Sequence, residues 1–181
     1  LRLLDCSKPC TGGSAILMTS KKSSKKFTDT PVWIKGIGQK TISASFTKNN
    51  DLTELQSTKT ASIDSFNMAK LSPDDIDVAE IHDAFSICEI MELEDIGFTK
   101  KGNGAGYVRN LFNTEDKKIN PRGGLIGSGH PLGATGIAQT IEITQQLQNN
   151  AGKKQVNNAK RGLIHNMSAA ATSSSVLILE S

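Results

Sequence analysis

The sequence predicts an α/β domain in which helices cover a mixed β-sheet. Short aliphatic runs that are typical of strands alternate with longer segments whose apolar spacing is typical of helices. The last two strand-like runs, 163–165 and 176–179, have the small and polar residues 168–175 and no helix between them, so the sheet is expected to be mixed. Hydrophobic residues make up 36% of the chain but aromatic residues only 4%, which predicts an aliphatic core.

The first part of the chain predicts two strands and a helix. A strand is expected at 15–18, and the lysine-rich cluster at 20–26 follows it. That cluster is expected to be a solvated loop or helix face, although it could contact an acidic partner. Residues 31–38 read as a second strand bounded by glycines, and residues 60–70 are predicted to be helical.

The next segment places a histidine at the end of a buried strand. Ser72-Pro-Asp-Asp75 is typical of a helix start, because the serine can cap and the second aspartate completes a capping-box-like arrangement. The apolar run 78–81 predicts a strand that ends at His82, and a helix over about 85–95 is expected to stop at Gly97. Ligands in α/β folds gather at the carboxyl ends of strands, so His82 is a candidate functional residue.

Two glycine-rich segments follow. Residues 100–106 are expected to form a flexible loop, and residues 120–136 combine six glycines with His130 just before a helix predicted at 137–147. A glycine-rich loop that leads into a helix exposes unpaired N–H groups, which suit an anion or a developing oxyanion. The alternative is that the glycines form only a structural turn.

Composition narrows the function classes. The 181-residue chain has a net charge of +3 and a sequence pI of about 8.8, which is far from a nucleic-acid signature but compatible with an acidic ligand. Cys6, Cys10 and Cys88 form an odd set without metal-type spacing, so no metal site is predicted. With no secretory or membrane-spanning apolar run, a cytoplasmic location is expected, with peroxisomal or mitochondrial location left open.

Three motifs resemble one enzyme family. The segment 120–136 resembles the Gly-His-Pro loop of the thiolase superfamily, and Val78-Ala-Glu-Ile-His-Asp-Ala-Phe85 resembles the His-Asp-Cys-Phe or His-Asp-Ala-Phe motif of sterol-carrier-protein-type and archaeal-type thiolases. Residues 151–156 and 162–166 are also similar to that branch. The resemblance covers most of 72–181 and more weakly the start of the chain.

The resemblance implies a fold and a domain division. Thiolases stack two similar halves into five α-β-α-β-α layers, so residues 28–181 would be the C-terminal half, a mixed sheet with helices on both faces. Residues 1–27 would be the closing strand and helix of the N-terminal half. The rest of that half would come from a longer chain or a companion chain, within a homo- or hetero-oligomer.

The same resemblance implies roles for individual residues. His130 would activate the family's nucleophilic cysteine, and His82 would help to polarise the thioester carbonyl. Asn120 would orient nearby groups, while Gly129 and Gly133 would let the loop approach the substrate. The alternatives are a His130 that only braces the loop and a His82 whose hydrogen bonds are satisfied at a strand end.

Other positions depart from the family pattern. Asn166 and Ser168 occupy the place of the Cys-x-Gly motif, in which the cysteine is the acid/base and the glycine N–H completes an oxyanion hole. The sterol-carrier-type branch also has asparagine at the first position and often carries a cysteine where this chain has Ala84. Cys88, one helical turn later, could substitute only if that turn faces the site, and such a cysteine is usually packing.

The resemblance therefore implies a thiolase-type acyltransferase that performs Claisen condensation or thiolysis on acyl-CoA, with no cofactor beyond the coenzyme A thioester substrate. None of the three cysteines lies in the nucleophile motif, so the chain alone is expected to be inactive. A non-catalytic scaffold or regulatory module for an acyl-CoA enzyme complex is the alternative, and Ala84, Asn166 and Ser168 favour it. A generic anion-binding domain is the third.

Overall fold

The computed structural model describes residues 1–48, 51–114 and 116–181. Within these ranges, four strands form a mixed sheet in the order β1-β4-β3-β2. The strands are β1 (Trp33–Thr41), β2 (Val78–Glu80), β3 (Arg161–Met167) and β4 (Ser173–Glu180). β4 pairs antiparallel with both β1 and β3, whereas β2 runs parallel to β3. The predicted mixed sheet is confirmed.

Six α-helices accompany the sheet within the described ranges. They are α1 (Lys21–Ser24), α2 (Gln56–Ala69), α3 (Ser86–Ile96), α4 (Gly104–Thr114), α5 (Gly124–Ser128) and α6 (Thr135–Leu147). Residues 1–48, 51–114 and 116–181 contain no helix long and apolar enough to cross a bilayer, for which about 20 apolar residues are needed.

Both faces of the sheet are covered, because alternate residues of the strands point to opposite sides. On one face, Val176 and Ile178 of β4 pack with Leu163 of β3 against helices α2, α3 and α4. On the other face, Ile164 of β3 and Leu179 of β4 belong to a second cluster with Ile143 and Leu147 of α6. The fold class predicted from the sequence is thus confirmed, with an aliphatic core on each side.

Helix α4 differs from the prediction of a flexible loop at 100–106. The helix begins at Gly104, where a Cβ atom would lie 2.5 Å from the Ile90 carbonyl oxygen of α3. Its residues Tyr107, Val108 and Leu111 pack against the core beneath α3. Glycine is a poor helix former, but here it allows a close helix–helix approach, and the apolar contacts outweigh the weak propensity.

The strand predicted at 15–18 does not form. Residues 11–20 have no regular secondary structure, and Leu17 and Met18 are exposed. A strand needs a neighbour to complete its backbone hydrogen bonds, and β1–β4 pair with one another within the described ranges rather than with this run. The lysines of α1 lie on an exposed helical turn, as expected for the basic cluster.

Two glycines of β1 allow α2 to lie close to the strand. A Cβ atom at Gly38 would overlap the Ala61 carbonyl oxygen of α2. We therefore expect Gly38→Ala to lower the free energy of unfolding by about 1–3 kcal/mol through overpacking, measured by urea denaturation. Gly106→Ala in α4 is the control, because open space surrounds that position and alanine is the better helix former. Equal midpoints for the two variants would contradict the prediction.

Candidate active site

His82 follows β2 and is almost fully buried, with 5% of its surface exposed. Its backbone N–H donates to Glu92 Oε2 at 2.8 Å, and its ring Nδ1 lies 3.0 Å from Asn166 Nδ2. Burial, together with the neighbouring His165 and His130, lowers the pKa of His82 to about 3. The imidazole is therefore neutral throughout the physiological pH range.

The contacts around His82 determine which ring nitrogen carries the proton. The Ile81 carbonyl can only accept, so the Gln139 atom facing it at 3.1 Å is Nε2. Gln139 Oε1 then accepts from Asn166 Nδ2 at 3.0 Å, which orients the asparagine amide. Because Asn166 Nδ2 also donates to His82 Nδ1, that nitrogen carries the lone pair and His82 presents an Nε2–H donor.

His130 lies beside His82, and its tautomer is the opposite one. The ring centroids are 4.9 Å apart and the planes are nearly perpendicular, at 85°. Thr135 Oγ1 donates its hydrogen to the Pro131 carbonyl at 3.1 Å, so it accepts from His130 Nδ1 at 2.8 Å. His130 Nε2 is left with a lone pair that can take up a proton. Burial lowers the pKa of His130, while the negative charge of Asp83 opposes that shift.

The Asp83 carboxylate holds the glycine-rich loop against His82. It accepts the Leu125 N–H at 2.6 Å and the Ile126 N–H at 3.3 Å, which satisfies donors in the first turn of α5. Gly124 has φ 61°, and a Cβ atom there would overlap the carboxylate. The glycines therefore serve a close backbone approach. Asp83 was not among the predicted site residues, although its place next to His82 in the motif was a signal.

Asn120 joins the same loop to the end of β2. Its Oδ1 accepts the Ile81 N–H at 2.8 Å, and its own N–H donates to the Ala79 carbonyl at 2.8 Å. The residue adopts φ 48°, a conformation that asparagine tolerates better than most residues. Asn120 therefore positions the backbone that precedes His82.

The two loop glycines have different surroundings. Gly129 has φ 85°, and a Cβ atom there would lie 2.8 Å from Cys10 Sγ. Gly133 has open space around it and lines a groove of about 420 Å³. The other residues of that groove are Cys10, Thr11, Gly12, Gly13, Ser14, Pro131, Leu132 and Ala134.

Residues 6–14, called here the N-terminal strap, cross both histidine motifs. The Ser7 N–H donates to the Ala84 carbonyl at 2.8 Å, and the Lys8 carbonyl accepts the His130 N–H at 2.9 Å. Further along, Ser14 Oγ donates to the Ala134 carbonyl at 2.8 Å. Sequence reasoning missed these contacts, because they join residues that are far apart in the chain.

Two candidate residues are less suited to their implied roles. The Ser168 N–H donates to the Ser173 carbonyl at 2.8 Å within the β3–β4 hairpin, so it is not free to bind an oxyanion. Cys88 is half-buried on α3, and burial is the main cause that raises the pKa of its thiol to about 11. A thiol with that pKa is a poor acid/base near neutral pH.

No group of three or more His, Cys, Asp or Glu residues in the described ranges has the arrangement of a metal site.

The model of the family described as thiolase C-terminal domain-like matches residues 38–181. This chain belongs to that family.

Curated relatives agree with the assignment of this thiolase-like chain. It is 42% identical over 180 residues to an acetyl-CoA acetyltransferase of Methanothermobacter thermautotrophicus, covering 98% of the chain and 47% of the relative. It is 36% identical over 174 residues to sterol carrier protein 2 of Homo sapiens, covering 92% of the chain and 32% of the relative. The chain thus spans half or less of these relatives.

A solved structure shares the fold. The Ltp2-ChsH2(DUF35) aldolase superimposes with a TM-score of 0.83 at 18% identity, over the whole of this chain and 47% of its own. At that identity the likeness concerns the fold alone. The predicted thiolase-like architecture is confirmed by this likeness together with the family match.

The two hydrogen bonds of Asp83 generate a prediction. Asp83→Asn leaves one acceptor oxygen and turns an amide toward the other N–H, so we expect a loss of about 1.5–3 kcal/mol in the free energy of unfolding. Faster amide hydrogen exchange at Leu125 and Ile126 should accompany it. Asp74→Asn, at an exposed position, is the control and should change neither. Unchanged exchange at both amides would refute the anchoring role.

Proposed function

We propose that the chain supplies the C-terminal side of the active site of a thiolase-type acyltransferase that acts on acyl-CoA thioesters. The observation that carries this proposal is the pair of neutral imidazoles 4.9 Å apart. His82 presents an N–H donor and His130 presents a lone pair, so one can stabilise an anion while the other takes a proton. The family membership and the acetyl-CoA acetyltransferase relative support the same reaction class.

In the proposed mechanism, His130 Nε2 takes the proton of a cysteine thiol supplied by the N-terminal half. The thiolate attacks the thioester carbonyl, the acyl group moves to the cysteine sulfur, and coenzyme A leaves as a thiol after taking the proton from His130. In the condensation, an acid/base group of the assembled enzyme removes the α-proton of a second acyl-CoA, and His82 Nε2–H donates to its thioester oxygen as the enolate forms. The enolate carbon attacks the acyl-cysteine carbonyl, and the cysteine leaves as a thiolate. Coenzyme A enters as part of the substrate, and we propose no separate cofactor.

The positions around the two histidines support this division of work. Asn166 and Gln139 fix the His82 ring through hydrogen bonds of 3.0 Å, so its N–H is oriented before the substrate binds. Thr135 fixes the His130 ring in the same way. Such preorganised donors and acceptors act more strongly in a site shielded from water, because they need not reorient during the reaction.

A non-catalytic scaffold is the second candidate. Its support is that Ser168 uses its N–H in the hairpin and that Ala84 and Asn166 leave both cysteine positions of the family motifs without a thiol. A scaffold would bind acyl-CoA without turnover. The two candidates differ in whether His130 is needed for the rate or only for the loop.

The N-terminal half is proposed to cover the outer side of α6. Ile137, Ile141 and Thr144 follow helical spacing on this helix and are only half-buried. The chain spans 47% of the archaeal relative, so the other half of that protein is the matching occupant. In this arrangement residues 28–181 form one domain, and residues 1–27 belong structurally to the covering half.

For activity, we expect the chain alone to show no thiolysis of acetoacetyl-CoA. Joined to the N-terminal half of the Methanothermobacter thermautotrophicus relative, it should show thioester cleavage. His130→Ala should then lower the rate by about 10²–10⁴-fold, the usual effect of losing a general base. Asn113→Ala, at an exposed position on α4, is the control. A fusion that cleaves the thioester equally well without His130 would favour the scaffold.

For association, Ile141→Lys should weaken binding of a separately expressed N-terminal half at least tenfold. The charge would be desolvated in an apolar contact, which is unfavourable unless the charge is paired. Sedimentation velocity of the mixture measures the complex, and circular dichroism checks that α6 persists. Asn113→Lys adds the same charge on α4 and should leave binding unchanged. Equal binding by both variants would place the partner elsewhere.

A further inference from the structure

A second polar layer lies directly behind His82. Glu92 of α3 and His165 of β3 are both fully buried, and Glu92 Oε2 approaches His165 Nδ1 at 3.3 Å. The same oxygen accepts a hydrogen bond from the backbone N–H of His82 at 2.8 Å. An ion pair that shares a hydrogen bond is usually shorter, about 2.7–2.9 Å. A hydrogen on His165 Nδ1 would also lack a hydrogen-bond acceptor among the described residues, so the contact does not have the geometry of an imidazolium–carboxylate hydrogen bond.

From His165 a chain of hydroxyl groups continues through the core. His165 Nε2 lies 3.0 Å from Thr58 Oγ1, which lies 3.0 Å from Ser174 Oγ. Ser174 Oγ lies 2.8 Å from Ser57 Oγ, and Ser57 Oγ donates to the Ala171 carbonyl at 2.6 Å. All of these side chains are buried, at 0–1% exposure, so water does not replace any of the bonds.

The last acceptor of this chain determines the direction of every bond in it. The Ala171 carbonyl can only accept, and each hydroxyl has one hydrogen. Ser57 therefore gives its hydrogen to Ala171, so Ser174 donates to Ser57 and Thr58 donates to Ser174. His165 must then donate from Nε2, and because burial keeps the ring neutral, Nδ1 carries the lone pair. That lone pair faces Glu92 Oε2, so the carboxyl group has to supply a proton.

We propose that Glu92 is a neutral carboxylic acid that donates to His165 Nδ1 and acts as the positioning residue for His82. Through one continuous series of donors it also fixes the turn at Ala171. Glu92 Oε1 has no hydrogen-bond partner among the described residues, which an ionised carboxylate would not tolerate in a buried site. The proposal rests on the proposed function only where it assigns His82 to the active site.

The surrounding charges agree with a neutral acid. Burial raises the pKa of Glu92 well above its usual value, and the carboxylates of Asp83 and Asp95 raise it further, although the His82 N–H opposes the shift. Burial lowers the pKa of His165 to about 3. Cys88 and Glu89, on the preceding turn of α3, also face this carboxyl group and add no positive charge.

The turn at the far end of the chain needs such support. Ala170 and Ala171 have φ values of 54° and 50°, in the left-handed region that alanine rarely adopts. The hydrogen bond from Ser57 holds the Ala171 carbonyl in this turn, which connects β3 to β4. The same set of bonds therefore restrains His82 at one end and the β3–β4 hairpin at the other.

The tautomer of His165 tests the proposal without any variant. Nitrogen-15 NMR of the 181-residue chain at pH 7 should show His165 protonated at Nε2 and unprotonated at Nδ1. A Nδ1–H tautomer or an imidazolium would mean that Glu92 is ionised and would overturn the proposal. Glu92→Gln should keep the Nε2–H tautomer of His165. The glutamine amide can donate to His165 Nδ1 through its nitrogen and still accept the His82 backbone N–H through its oxygen. Glu89→Gln, one turn earlier on α3, is the matched control.

The pH dependence of unfolding gives a second test. A carboxyl group whose pKa is raised in the folded state gives stability that is complete below its unfolded pKa and is lost as pH rises toward the folded pKa. Relative to Glu92→Gln, the unfolding equilibrium constant of the natural chain should therefore rise about tenfold per pH unit from pH ~4.5 up to the folded-state pKa of Glu92. A ratio that stays constant, or that falls as pH rises, would overturn the neutral acid.

Activity separates this proposal from the proposed function. In the fusion with the archaeal N-terminal half, Glu92→Gln should retain thiolysis within about threefold, whereas Glu92→Leu should lose at least tenfold in kcat. A loss in Glu92→Gln as large as that in Glu92→Leu would overturn the positioning role. A fusion with no activity at all would count against the proposed function, while the His165 tautomer would still decide the state of Glu92.

Discussion

The buried turn that follows β2 is the constraint on which the candidate site depends. Its backbone groups lie away from water, and each needs a partner. Asn120 accepts the Ile81 N–H, Gln139 donates to the Ile81 carbonyl, and Glu92 accepts the His82 N–H. These partners come from the glycine-rich loop, α6 and α3. Pairing the backbone hydrogen-bonding groups of Ile81 and His82 therefore brings the glycine-rich loop, α6 and α3 together around the His82 ring.

The electrostatic character of the site follows from this packing. Burial removes the charge from His82 and His165, and raised carboxyl pKa values remove it from Glu92. These groups are therefore neutral. The direction of each hydrogen bond among them is fixed by backbone carbonyls, which can only accept. A donor on His82 beside an acceptor on His130 is the result, and neither depends on a proton taken from solution. Catalysis of proton transfer benefits when such groups are already oriented.

The surface of the domain has the features expected of one half of a longer thiolase-like protein. The chain covers about half of its acetyl-CoA acetyltransferase relative and keeps a half-buried apolar stripe on α6. The N-terminal strap crosses the groove beside Gly133 and contacts both histidine motifs. In the proposed enzyme, the cysteine of the N-terminal half would come close to His130.

The sequence by itself determined the mixed α/β fold and singled out His82 and His130 as candidates, because apolar periodicity and short motifs are local properties. It did not predict α4, because the glycines at 102–106 are typical of a loop and the helix is stabilised by its packing. It also wrongly predicted a strand at 15–18. Only the tertiary structure decided the tautomers and the pairing of Glu92 with His165. Those depend on which acceptor lies across the core, as between Thr58 and His165, 107 positions apart. No local pattern carries that information.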